Sequence, residues 1–149
     1  NDPYNFYRGV KLWSDDGEEV INYPKQHKNN GINKNTNTQK RYKRLVRILK
    51  NVNIKMADSG FYKNINITSF LIECLMYNYP NNALATSIYD WNSILQDVIR
   101  YFWNKTREDC YDWYQFLENS ELLYLMIKHK WDRSDVHEFM TKLWIFLEY

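Results

Sequence analysis

The sequence predicts a mainly α protein, in which a short N-terminal β-hairpin is followed by a helical bundle of four or five helices. Three observations carry this. Beyond residue 40, apolar residues recur at helical spacing. Near the N-terminus, two short alternating segments flank Ser14-Asp15-Asp16-Gly17, a run of turn formers. The chain has 149 residues, 44% apolar and 17% aromatic, with only 4 Gly and 3 Pro. That composition suits one packed domain and excludes collagen-like or low-complexity material.

Taken in order, the first strand is expected over 7–13 and its return strand over 18–23, with Pro24 ending the hairpin. Residues 25–39 are polar and rich in Asn, Lys and Thr, so they read as a long basic loop. The first helix then carries Tyr42, Leu45, Val46, Leu49 and Val52 on one stripe, with Lys40, Lys43, Arg44 and Arg47 on the other face. Thr36 and Gln39 have capping-box spacing at its start, and Thr38 competes as the N-cap. Residues 67–79 are apolar nearly all round, as in a central helix, with Thr68 or Ser69 as cap and Pro80 as stop. A further helix runs from about Ser87 to Asn104, Cys110 to Lys130 is less regular, and the last helix opens at Asp132 or Ser134.

Composition also bounds function. Cys74 and Cys110 are too few for a disulfide scaffold. No uncharged apolar run approaches 20 residues and the mean hydropathy is -0.70, so no membrane span and no membrane partner is expected. The polar start lacks the features of a secretory leader, which makes a reduced, cytoplasmic setting the expectation. The missing initiator Met suggests a piece of something longer.

Net charge is +2, but its distribution is uneven. Between Val20 and Ala57 there are ten basic residues and no acidic one. Such a block is either a solvated face or a site for phosphates, a nucleotide's or a nucleic-acid backbone's. The three histidines, His27, His129 and His137, and the two cysteines lack zinc-ligand spacing, and no Gly-rich phosphate loop is present. Cys74 reads as core. Asp15-Asp16 and Glu18-Glu19 sit at the hairpin tip and read as solvated turn residues. What survives is Lys50 at the end of the basic helix and Ser69-Phe70 at the start of the central one. An ammonium, a hydroxyl and a ring are what a nucleotide needs; on spacing alone, Ser69 as a cap and Phe70 as core is the simpler account.

The run Asn22-Tyr23-Pro24-Lys25-Gln26-His27, followed by Asn30-Gly31, Lys34-Asn35 and Thr38, then Val46-Arg47-Ile48-Leu49-Lys50 and Ser69-Phe70-Leu71-Ile72-Glu73-Cys74-Leu75, resembles the second half of bacterial nucleotidyltransferases. These are the relatives of cyclic GMP-AMP synthase and oligoadenylate synthase, the CD-NTase family. The resemblance implies the C-terminal half of an α+β enzyme, with residues 1–24 as a hairpin remnant of the catalytic core, 25–39 as a basic loop and 40–149 as a helical domain. It implies that Lys50 and Ser69 touch the triphosphate and that Phe70 stacks on a base, with His27, Asn35, Thr38 and Arg47 as further cleft-lining candidates.

It also implies what this chain lacks. Family enzymes join nucleoside triphosphates with two metal ions held on carboxylates, and those carboxylates belong to the preceding core. Asp2 lacks the apolar strand context of such a ligand. No catalytic residue and no metal ligand is therefore assigned here, and this chain alone is expected to be inactive. An N-terminal nucleotidyltransferase core, Mg2+ and a nucleoside triphosphate are expected for the parent. The alternatives are a non-enzymatic nucleic-acid-binding module built on the basic block, and a protein-interaction bundle. Glu73, the single charge in the central helix, needs a partner, and Arg47 is the expected one.

Overall fold

A computed structural model describes residues 6–13, 15, 17–63, 65–86, 89–126 and 130–149. Asp2, Ser14, Asp16, Ser87 and His129 lie outside the described residues.

The hairpin is present and shorter than expected. β1 (Val10–Trp13) pairs antiparallel with β2 (Glu19–Asn22), with Val10 opposite Asn22 and Trp13 opposite Glu19. Gly17 supplies the left-handed backbone of the connection, at φ +78°.

Residues 25–39 are not a loop. They form α1 (Pro24–Asn37), and Pro24 opens this helix instead of merely closing the hairpin. Proline suits a first helical position because the N–H it lacks would have no intrahelical partner there. The polar composition concealed the helix, since tertiary contacts override weak propensity. Lys34 is 6% exposed. Its ammonium donates to the Tyr79 carbonyl at 2.7 Å and to Asn81 Oδ1 at 2.5 Å, and lies over the rings of Tyr42 and Tyr77. Asn30 donates to the Asn119 carbonyl at 2.8 Å.

Two left-handed residues, Gln39 at φ 52° and Lys40 at φ 64°, turn the chain into α2 (Arg41–Asp58). The expected capping box does not form: Thr36 donates back to the Ile32 carbonyl, and α2 takes its acceptors from the end of α1 instead. Thr38 is fully buried and accepts from the Tyr42 amide at 3.1 Å, while Asn35 Oδ1 accepts from the Lys43 amide at 3.0 Å.

α2 buries Tyr42, Leu45, Val46, Leu49 and Met56 against α3 (Ser69–Tyr77). Thr68 is the cap of α3, accepting from the Leu71 amide at 3.2 Å. α3 buries Leu71, Ile72, Cys74, Leu75 and Met76, consistent with a central position. Beyond Pro80 comes a short α4 (Asn81–Ala85), then α5 (Trp91–Lys105), capped by Asp90, and α6 (Arg133–Phe146), capped by Asp132. α5 and α6 pack together. Between them, Asp112–Gln115 is a single 3-10 turn and Leu117 bridges to Tyr124. Asn78 holds that irregular segment on α3 through both directions of bonding with the Leu117 backbone. The architecture is thus a two-stranded hairpin and six α-helices among the described residues, the expected bundle with α1 and α4 added. No helix among them is long and apolar enough to cross a membrane.

Candidate functional site

The site forms where α1, α2 and α3 meet. Along α2 each residue turns about 100°, so Lys50 falls beside the buried stripe of Val46 and Leu49 while Arg47 faces outward. Lys50 therefore reaches α3. Its ammonium lies 2.9 Å from Glu73 Oε2, and His27 Nε2, coming from α1, lies 3.3 Å from Glu73 Oε1. The expected Arg47–Glu73 pair does not exist: Arg47 is exposed and its Nε donates to the Lys43 carbonyl.

Glu73 holds its two partners tightly. The hydrogen bond from His27, with Lys50 adding a second bond and its charge, outweighs the cost of burial and brings the carboxyl down to about 2. The Glu73 carbonyl also accepts from the Tyr42 hydroxyl at 3.2 Å. One carboxylate therefore ties α1, α2 and α3 together.

Beside it lies a row of rings. Phe70 stacks on His27 with centroids 5.4 Å apart and planes at 23°, and on Trp131 at 6.4 Å and 25°. The Lys130 ammonium sits 5.0 Å from the Phe70 centroid and 3.2 Å from Glu118 Oε1. These rings line a cleft of about 590 Å³ whose walls also include Asn22, Tyr23, Pro24 and Thr68. The Asn22-Tyr23-Pro24-x-x-His27 run thus lies along one side of the cleft, with α3 on another.

Among the residues singled out in the sequence, the structure brings Lys50 and His27 together on Glu73, and Phe70 onto His27; His27 and Phe70 line the cleft. Ser69 is the first residue of α3, exposed and next to Phe70. Asn35 and Thr38 do not line the cleft; they cap α2 at the α1–α2 corner, where the first amides of the helix require acceptors. Glu118, Lys130 and Trp131 are additions. They come from the segment without helical period, so no pattern in the sequence pointed to them. Cys74 is buried, and burial pushes its thiol up to about 12, as befits an inert core residue. Among the described residues, no group of three or more His, Cys, Asp or Glu side chains is placed to hold a metal ion.

Residues 29–148 match the model of the cGAS/DncV-like nucleotidyltransferase C-terminal helical domain. The chain belongs to this nucleotidyltransferase family. It is 45% identical, over 97% of its length, to the cyclic dipyrimidine nucleotide synthase CdnE of Cecembia lonarensis. It is 39% identical, over 95% of its length, to the cyclic dipurine nucleotide synthase of Elizabethkingia meningoseptica. The solved structure of Elizabethkingia meningoseptica CdnE cyclic dinucleotide synthase with GTP and Apcpp superposes with a TM-score of 0.83, at 36% identity and over 95% of this chain. The cGAS/DncV-like chain described here spans 49% and 47% of those two synthases and 50% of that solved chain, about half of each. Its family fold is the C-terminal helical domain.

Proposed function

We propose that this domain forms the nucleotide-binding wall of an enzyme that joins nucleoside triphosphates into a cyclic or linear oligonucleotide. Lys50 and Ser69 contact the triphosphate, and Phe70, braced by His27 and Trp131, stacks on a base. The observation that carries this reading is the Lys50–Glu73–His27 cluster beside the Phe70 shelf, in a chain 45% identical to a cyclic nucleotide synthase over nearly its whole length. Charge-assisted bonds to phosphate are the strong ones, and a stacked ring accepts any base.

The described residues do not fit a metal site. The carboxylates that hold Mg2+ for 3'-hydroxyl attack on an α-phosphate therefore belong, in this reading, to an N-terminal catalytic core against which this domain closes the active site. A free-standing nucleic-acid module is not what family membership favours.

Calorimetry of ATP, GTP, CTP and UTP with Mg2+ on the complete protein tests the assignment. Lys50→Ala should weaken nucleotide binding by about tenfold or more, the worth of one charge-assisted contact. Equal affinities in the variant and the parent would remove Lys50 from the site.

A further inference from the structure

The cleft carries a second charged pair that the phosphate-binding reading leaves idle. Glu118 lines the cleft, yet its side chain is only 5% exposed. Its Oε1 lies 3.2 Å from the ammonium of Lys130, whose side chain is 36% exposed. That ammonium stands 5.0 Å from the Phe70 ring centroid and 5.9 Å from that of Trp131. An acceptor-only group and a donor-only group are therefore fixed side by side at the edge of the ring shelf. A buried carboxylate is costly without compensation, and Lys130 supplies it while leaving the second carboxylate oxygen outside that bond.

Rings stack on every base and so do not choose among them. Choice comes from directional polar groups at the base edge. We propose that Glu118 and Lys130 read that edge and favour a lactam edge, an N–H next to a C=O as in uracil and guanine. The competing amidine edge, an amino group next to a bare ring nitrogen, belongs to adenine and cytosine. A ring imide N–H is a more acidic donor than an exocyclic amine, so it makes the stronger bond to a carboxylate. The adjoining carbonyl oxygen accepts from the Lys130 ammonium, which holds the base in register for that bond. This rests on the nucleotide reading above and adds the base class to it.

The test uses the complete protein and titrates non-hydrolysable analogues of UTP, GTP, CTP and ATP, with inorganic tripolyphosphate as the base-free control. The parent should bind the uracil and guanine nucleotides about tenfold more tightly than the other two. Glu118→Gln, whose amide both donates and accepts, should close most of that gap, and Lys130→Met at its more exposed position should narrow it, with tripolyphosphate affinity unchanged in both. Lys130→Met keeps the test decisive should Glu118→Gln loosen the fold. A parent without the gap, a gap that survives both substitutions, or an equal loss for all ligands including tripolyphosphate would overturn the proposal. Failure of the parent to bind any of the five ligands would instead overturn the underlying nucleotide reading.

Discussion

At the scale of single residues, Glu73 is the most informative side chain. Its carboxyl sits at about 2 against an ordinary 4.5, so the folded state favours its ionised form. The stabilisation is fully present above the ordinary carboxylate range and is lost as pH falls from there toward 2. Glu73→Gln should cost about 2 kcal/mol at pH 7, a figure reduced for the partial exposure of the pair. Urea unfolding of parent and variant should show that difference shrinking steadily between pH 5 and about pH 2; a difference independent of pH would mean that the carboxylate charge is not what holds the cluster. For Lys34 the folded state disfavours the charged form, yet stability again rises with pH, in a higher window. Burial lowers its ammonium from 10.5 to about 8, so the unfolded chain binds the proton more tightly. Its contribution to stability should therefore rise as pH increases from about 8 to 10.5, and Lys34→Met should abolish that rise in the same unfolding assay.

At the scale of elements, α1 tests what holds a polar helix in place. Gly31 is buried on its inner face, and an added Cβ would meet Asn119 at 3.7 Å and Tyr42 at 3.9 Å, ordinary contact distances. Gly31→Ala should stabilise the protein by about 0.5 to 1 kcal/mol, because it reduces the freedom of the unfolded chain without a clash; a lower melting temperature would show that the helix packs more closely there. Thr68→Ala, which removes the cap of α3, should cost about 1 kcal/mol and loosen the end that carries Ser69 and Phe70. The apolar stripes of α2, α3 and α6 were legible because their period matches their burial. α1 was not, since its buried positions are a glycine and a lysine whose partners come from residues 42–81. Lys50 and Phe70 were legible by resemblance, and His27 as a cleft candidate by the same route. Glu118 and Lys130 were not, because no local regularity marks residues that an irregular segment delivers to a site. Arg47 was the wrong partner for Glu73 for a geometric reason: three positions separate it from Lys50, nearly a full turn, but it is Lys50 that lies on the inward side of α2.

At the scale of the whole molecule, one aromatic residue joins the parts. Phe102 is fully buried in α5 and contacts the rings of Tyr79, Tyr101 and Phe116, which belong to the turn after α3, to α5 itself and to the irregular segment. Phe102→Ala should cost about 3 to 5 kcal/mol. Circular dichroism and tryptophan fluorescence should report one coincident transition, as expected when a single core melts as a unit. Two separated transitions would divide the helices near α1–α3 from those near α5–α6.

The hairpin stands apart from this core. Val10, Leu12 and Trp13 on β1 are 45%, 53% and 66% exposed, and Ile21 on β2 is 38% exposed. Among the described residues the sheet has two strands, which leaves hydrogen-bonding groups along its flanks for a further strand. At high concentration this domain should recruit such a strand from a neighbouring copy, and light scattering that rises with protein concentration would report it.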